Sequence, residues 1–357
     1  MDTMAISVKI NKTQQSRISQ CDFNNIQFGT IFADHMFRCD YDNGEWKNAV
    51  IEPFAPIALS PSISALHYGQ SIFEGMKAFK NAQTGNPQLF RPLDNWRRLN
   101  ISAKRMAMPE VPEDIFMEGL SQLIQLDKDW IPTKEGSSLY IRPFLFATDD
   151  FVGVRPSQKF SFIIFTCPVN SYYPKPINVL VEQHYTRAFK GGAGFAKAAG
   201  NYGISMLPTL EAQQRGFDQL IWTDGSQHDF VEESGTMNIF FVIKGEVITP
   251  PVGETILAGI TRDSVIKLLR HAGYTVREQP VSVKEIATAC ERGEVEDAFG
   301  TGTAALIAKI KSITYKEKSY ELPAIEQRKV SNYLYKELEN IRTSQSPDTF
   351  NWVVPVQ

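Results

Sequence analysis

The chain has 357 residues, more than one compact core usually holds, so two domains are expected. Hydrophobic residues make up 43% and charged residues 22%, which is ordinary for a soluble globular protein. The net charge of −3 and a pI near 6.0 argue against nucleic acid as a main partner, because neutralising phosphates needs an excess of lysine and arginine.

The N-terminal stretch MDTMAISVKINKTQQ has no apolar signal core and is not arginine-rich. Cys21, Cys39, Cys167 and Cys290 lie far apart with no C-x-x-C pair, so neither a metal site nor a local redox pair is suggested. Sparse, unpaired cysteines fit a reducing compartment. The longest apolar stretch, FSFIIFTCPV (160–169), is too short for a membrane span of ~20 residues. A cytoplasmic protein with no membrane partner is expected.

In chain order, NWRRLNISAKRM (95–106) reads as a helix with Asp94 or Asn95 available as N-cap. SLYIRPFLFAT (138–148) reads as a strand, and FSFIIFTCPV is strand-like. NSYYPKP (170–176) carries two prolines within three positions, which forbids regular structure and marks a domain boundary. INVLVEQHY is again strand-like. GNYGISMLPTLEAQQRG is mostly helical in composition and ends at Gly216, a plausible residue just past a helix end. FDQLIWTD reads as a strand, and MNIFFVIKGEVITPP as a hairpin turning near Lys244 and Gly245. TRDSVIKLLRHAG is a helix, with Thr261 as its cap and Gly273 at its end. SVKE (282–285) matches a capping box before a further helix. VEDAFGTGTAALIAKI gives strand, glycine-rich turn, strand. No repeat is present. The expected fold is α+β with a mixed sheet: a smaller N-terminal α/β domain (1–169), an interdomain loop (170–177) and a larger C-terminal domain (178–357).

One lysine, Lys197, stands among small residues in GFAKAAGNYG (194–203). Small neighbours leave room for a flat group against the backbone. They also solvate an ammonium poorly, which favours the neutral, nucleophilic amine that a Schiff base requires. A glycine-rich turn whose lysine meets solvent is the plainer alternative. In FVEESGTMNIFF, Glu232 and Glu233 precede a hairpin in an apolar setting, where a carboxylate wants a cationic or protonated partner. A pyridine ring nitrogen is such a partner, although for Glu232 a solvated turn is the better reading. AGITRDSVIKLL puts Gly259, Ile260 and Thr261 at a helix start, where unpaired N–H groups and the helix dipole favour phosphate. FGTGTAAL offers a further turn, residues 300–304, whose N–H groups suit an anion.

FAKAAGNYG, EESGTMNIF, LAGITR and FGTGTAA, in this order and spacing, closely resemble the branched-chain amino acid aminotransferases, which are fold-type IV pyridoxal phosphate enzymes. FGTIFADHMF, LHYGQSIFEGMKAF, LFRPLDNWRRL, SLYIRPF and CPVNSYYP extend the resemblance over nearly the whole chain. It implies a two-domain, D-amino acid aminotransferase-like fold whose larger domain binds pyridoxal 5'-phosphate. Lys197 matches the lysine that holds the cofactor as an imine and moves the proton between substrate Cα and cofactor C4′. Glu233 matches the acid on the pyridine nitrogen, and Tyr202 the tyrosine on the phenolic oxygen. Arg98 aligns with the phosphate-binding arginine, Arg97 being the adjacent alternative. Ile260, Thr261 and Thr303 would also contact the phosphate, and Thr303 with Ala304 the substrate carboxylate. Phe28, Tyr68, Phe73, Tyr140 and Tyr172 match aromatic walls, which core packing would equally explain, and Thr236 a contact near the ring. Arg142 matches a position that helps accept the distal carboxylate of glutamate or 2-oxoglutarate. Val154 lies in a loop that in the family reaches a neighbouring subunit, implying a homodimer. Some animal members carry a redox-sensitive C-x-x-C after the G-T-A turn; Ala305 and Ala308 stand there, so thiol regulation is not expected. The implied reaction is ping-pong transamination of L-leucine, L-isoleucine and L-valine with 2-oxoglutarate through pyridoxamine phosphate. D-Amino acid aminotransferase and aminodeoxychorismate lyase share the fold type, and a non-catalytic binder of the cofactor is the alternative from another class.

Overall fold

A computed structural model describes residues 7–173 and 175–356. Residues 1–6 of the segment read as lacking a signal core, and Pro174 of the expected linker, lie outside the described residues. Two compact units are present. The first runs up to Tyr172 and takes in Ala196–Gly200 and the chain from Glu339 onward. The second comprises Tyr173–Phe195 and Asn201–Leu338. The chain thus changes unit inside the expected loop, but the lysine segment and the C-terminal stretch belong to the first unit. The cause is backbone pairing: Val353–Pro355 adds antiparallel to Pro87–Phe90, and Ala198 bridges to Ile72.

Among the described residues the first unit is built on a nine-stranded sheet. Its centre is Ser138–Ala147, paired along its whole length with Lys159–Val169 and on its other side with Met76–Lys80 and Ser71–Phe73. Glu113–Leu126 buries Ile115, Phe116, Leu120, Leu123 and Ile124, a helical stripe that packs into the core containing Phe37 and Phe162. Gly119 completes that stripe, because a Cβ there would stand 2.6 Å from Phe37 Cζ. The helix expected from residue 95 begins earlier, at Pro92. Pro92 takes the first helical position, where a missing N–H costs nothing, and Arg91 before it is left-handed at φ 53°.

The second unit is built on a ten-stranded mixed sheet. Asn238–Ile243 and Glu246–Thr249 form the expected hairpin, with Lys244 and Gly245 at φ 51° and 77°, the double positive φ of a tight hairpin turn. Ser282 caps Val283–Glu291 by accepting from the Glu285 N–H, as the capping box predicts. GNYGISMLPTLEAQQRG divides into two short helices, Gly200–Gly203 and Met206–Gln214. The cap of Ile260–His271 differs from expectation. Gly259 holds the cap position in extended conformation, so Thr261 lies inside the first turn.

Candidate active site

The first unit carries the lysine. Its backbone is stitched into the unit at three points: the Ala199 N–H donates to Ser71 O, the Phe73 N–H to Lys197 O, and the Lys197 N–H to Ser102 Oγ. Ala196 and Ala198 are buried on either side, because a strand-like segment turns alternate side chains inward. Their small size is therefore a packing requirement as well. Lys197 Nζ lies 4.8 Å from the centre of the Phe73 ring. Arg142 stacks on the same ring at 4.5 Å and donates to the Tyr140 hydroxyl at 3.0 Å. Phe28 meets Tyr140 and Tyr172 edge-on, at 5.1 and 4.9 Å between centres. One aromatic cluster thus brings together Phe28, Phe73, Tyr140, Tyr172, Arg142 and the lysine amine. Gly75 makes room for it, since a Cβ there would collide with the Tyr140 hydroxyl. Tyr68 ends the short helix Ser64–Tyr68 and is largely exposed, and Val154 is 90% exposed in its loop.

Arg98 is buried, whereas Arg97 has an exposed side chain paired with Asp94. Helical spacing decides this, because Leu99, Ser102 and Ala103 share the inner face with Arg98. Arg98 meets Glu74 through two parallel bonds of 2.7 Å from Nε and Nη2. Glu74 is fully buried and also accepts from Asn95 Nδ2 at 2.8 Å. The sequence reading assigned Glu74 nothing. Its signal was available: a glutamate inside the apolar SIFEGMKAF requires a buried cation.

The second unit carries the carboxylate. Glu233 is 4% exposed on the strand Phe230–Ser234. The Leu257 N–H donates to its Oε1 at 2.8 Å, and Arg187 Nε lies 3.2 Å from its Oε2. Arg187 is missing from the sequence reading, although it stands ten positions before Lys197 in QHYTRAFKGG. Glu232 is 6% exposed and is not the solvated turn residue expected. A bulge explains it: Trp222 pairs with Glu233 and Thr223 with Val231, leaving Glu232 as the extra residue. Burial pushes the Glu232 carboxyl up to about 7, against the lowering pull of the Thr255 hydroxyl and Arg187.

Gly235 and Thr236 form a tight turn closed by reciprocal Ser234 and Met237 backbone bonds, with Thr236 exposed. Tyr202 lies in Gly200–Gly203, half-buried. Thr303 and Ala304 occupy the turn between Val295–Gly302 and Leu306–Tyr315. Gly300 belongs to the preceding strand rather than to the turn, and a Cβ on it would stand 2.8 Å from Met237 Cε. At the start of Ile260–His271, Thr261 is buried and the cap supplies no side-chain hydrogen bond. A loop leads into this helix and is pinned throughout. Glu254 accepts from the Gly191 and Phe195 N–H groups, Thr255 O from Arg187, and Leu257 O from Asn238.

These groups fit pyridoxal 5'-phosphate in kind. A lysine amine packed on an aromatic ring, a buried carboxylate held at both oxygens, a helix start without a side-chain cap and a buried arginine are the amine, acid and anion-binding groups that the cofactor calls for. Among the described residues no cluster of metal-ligating side chains occurs, and no helix is long and apolar enough to cross a membrane.

A family model described as amino-transferase class IV matches residues 71–313. Branched-chain-amino-acid transaminase 1 of Bacillus subtilis (strain 168) is 43% identical over 340 residues, 94% of this chain and 95% of its own. The structure of the branched-chain aminotransferase of Thermoproteus uzoniensis with norvaline is similar at a TM-score of 0.74 and 26% identity, covering 90% of this chain and 100% of that one. A thermophile enzyme, the T.th. branched-chain amino acid aminotransferase complexed with N-(5'-phosphopyridoxyl)-L-glutamate, gives a TM-score of 0.71 at 25% identity, over 89% of this chain and 98% of that one. Likeness of this extent, over a chain with these groups, makes it a class IV aminotransferase, a pyridoxal phosphate-dependent member of the branched-chain amino acid aminotransferase family.

Proposed function

We propose that the chain transaminates L-leucine, L-isoleucine and L-valine with 2-oxoglutarate in a ping-pong cycle, with Lys197 as its catalytic residue. The observation that carries this is the shared Phe73 ring, which holds the Lys197 amine and the Arg142 guanidinium within one aromatic cluster. When bound, pyridoxal 5'-phosphate supplies the carbonyl carbon that exchanges the amino group and a ring that takes up the electron pair left at the substrate Cα.

The neutral Lys197 amine takes the Cα proton and returns it at C4′ of the cofactor. Glu233, fixed through both oxygens, holds the proton of the ring nitrogen, and Tyr202 bonds the phenolic oxygen. Arg98, kept in orientation by Glu74, binds the phosphate with Ile260, Thr261 and Thr303. Thr303 and Ala304 take the substrate carboxylate, and Thr236 lies near the ring. Phe28, Tyr68, Phe73, Tyr140 and Tyr172 exclude water and give branched side chains an apolar wall. Arg142 and the Tyr140 hydroxyl accept the distal carboxylate of the acidic substrate, so one cavity serves both substrate types. The norvaline and glutamate complexes of related enzymes support that pairing.

The active form is a homodimer in the cytoplasm. Exposed Phe151, Val152 and Val154 on one loop, and exposed Ile204, Met206, Leu207 and Leu210 near the second unit's short helices, support a second copy as partner. The free cysteines support the compartment.

The test is a half-reaction. The protein loaded with pyridoxal 5'-phosphate is mixed with L-leucine and no oxo acid, and the visible band of the cofactor is followed. Loss of the band is expected with L-leucine and not with D-alanine. In Lys197→Ala the band of the loaded protein is shifted from the start, and turnover falls by about 10⁴-fold or more. Near-normal turnover in that variant would overturn the assignment.

A further inference from the structure

Arg187, Glu232 and Glu233 are 9%, 6% and 4% exposed, so one guanidinium serves two buried carboxylates. The bulge makes this possible. Consecutive strand residues normally face opposite ways, and an inserted residue breaks that alternation. Glu233 is anchored by Leu257 N–H, and Arg187 Nε lies at 3.2 Å without the alignment of a hydrogen bond, so the contact is mainly Coulombic. Glu232 Oε2 is buried with no hydrogen-bond partner among the described residues. The groups facing Glu232 are Arg187 from the segment before the lysine, Glu233 on its own strand, Asp224 beyond the paired strand, and the Thr255 hydroxyl from the pinned loop.

With all three groups ionised the cluster carries one negative charge in a site that hydrates it poorly. A proton on Glu232 or a cation from outside relieves it. We propose that Glu232 is a positioning residue that makes the hold of Glu233 on a protonated pyridine ring depend on pH. The proposal rests on Glu233 being the partner of the ring nitrogen. While Glu232 is neutral, Arg187 neutralises Glu233. Once Glu232 is ionised the guanidinium is shared, and Glu233 becomes the stronger partner for the ring N–H. Binding of the ring therefore releases the Glu232 proton to solvent. The burial that raises this carboxyl to about 7 places the exchange near neutrality.

The test uses the full-length apoprotein and pyridoxamine 5'-phosphate, which forms no bond to Lys197. Its affinity is read by tryptophan fluorescence between about pH 6 and about pH 8, in the unmodified protein and in Glu232→Gln. The affinity ratio of unmodified protein to variant is expected to rise about tenfold across that range. With a 1-deaza analogue, which takes no ring proton, the ratio is expected to stay flat. Parallel curves with pyridoxamine 5'-phosphate overturn the inference and leave the cofactor reading standing. Absence of binding in both proteins overturns the inference together with that reading. Should Glu232→Gln not fold, infrared difference spectra of the unmodified protein decide. Loss of a protonated-carboxyl band on adding pyridoxamine 5'-phosphate near pH 6 is expected, and no loss overturns the inference.

Discussion

Each buried charge in the site has a second charge behind it. Glu74 orients Arg98 through two bonds, and Arg187 faces Glu233. Such pairs are weak sources of stability, because desolvation offsets their attraction, but breaking one leaves a buried charge uncompensated. Glu232 is the costly member. Its folded carboxyl titrates at about 7 against an ordinary 4.5, so the folded state holds this proton more tightly than the unfolded chain does. Its contribution is complete below about 4.5 and is lost as the pH rises through about 7. Glu232→Gln should therefore be more stable than the unmodified apoprotein near pH 8, by at most about 3 kcal/mol, and the gap should close below about pH 4.5. Thermal unfolding of both apoproteins across that range checks this, and a gap independent of pH would contradict it. Lys197 differs: the structural bonds described for it run through its backbone, so Lys197→Ala should keep the native circular dichroism spectrum while turnover is lost.

At the scale of elements, the helix Ile260–His271 starts on a glycine for a reason beyond its cap. A Cβ on Gly259 would overlap Asn238 Oδ1, and Asn238 Nδ2 holds Leu257 O at 2.9 Å. Gly259→Ala should push Asn238 aside, loosen the loop that meets Glu233 and Arg187, and cost about 1–3 kcal/mol. Cofactor affinity should fall with stability, read as the pyridoxal 5'-phosphate concentration needed to raise the melting temperature. Unchanged affinity and stability would show that the loop does not depend on this contact. Helices, hairpin and capping box were legible in sequence because propensity, proline and glycine are local signals. Arg187, Glu74 and burial of Glu232 were not, because each depends on which strand or loop lies opposite.

At the scale of the molecule, a helix of only nine residues, Met206–Gln214, leaves Met206, Leu207 and Leu210 exposed. A solvated monomer has little use for such a face. Sedimentation should give a dimer, and Met206→Asp with Leu210→Asp should shift it toward monomer with loss of activity. A fully active monomer would contradict the proposed assembly.

The sequence by itself determined the family, the class of chemistry and the residue types of the site. Ordered short motifs carry those, and each motif is confined to a few consecutive residues. It also determined the break near residues 170–177, because two prolines act locally. Only the tertiary structure decided that the lysine segment and the C-terminal strand join the first unit, that Arg98 rather than Arg97 is buried, and that two adjacent glutamates share one arginine. Strand pairing, helix facing and a bulge set these, and each is fixed by partners far away in the chain.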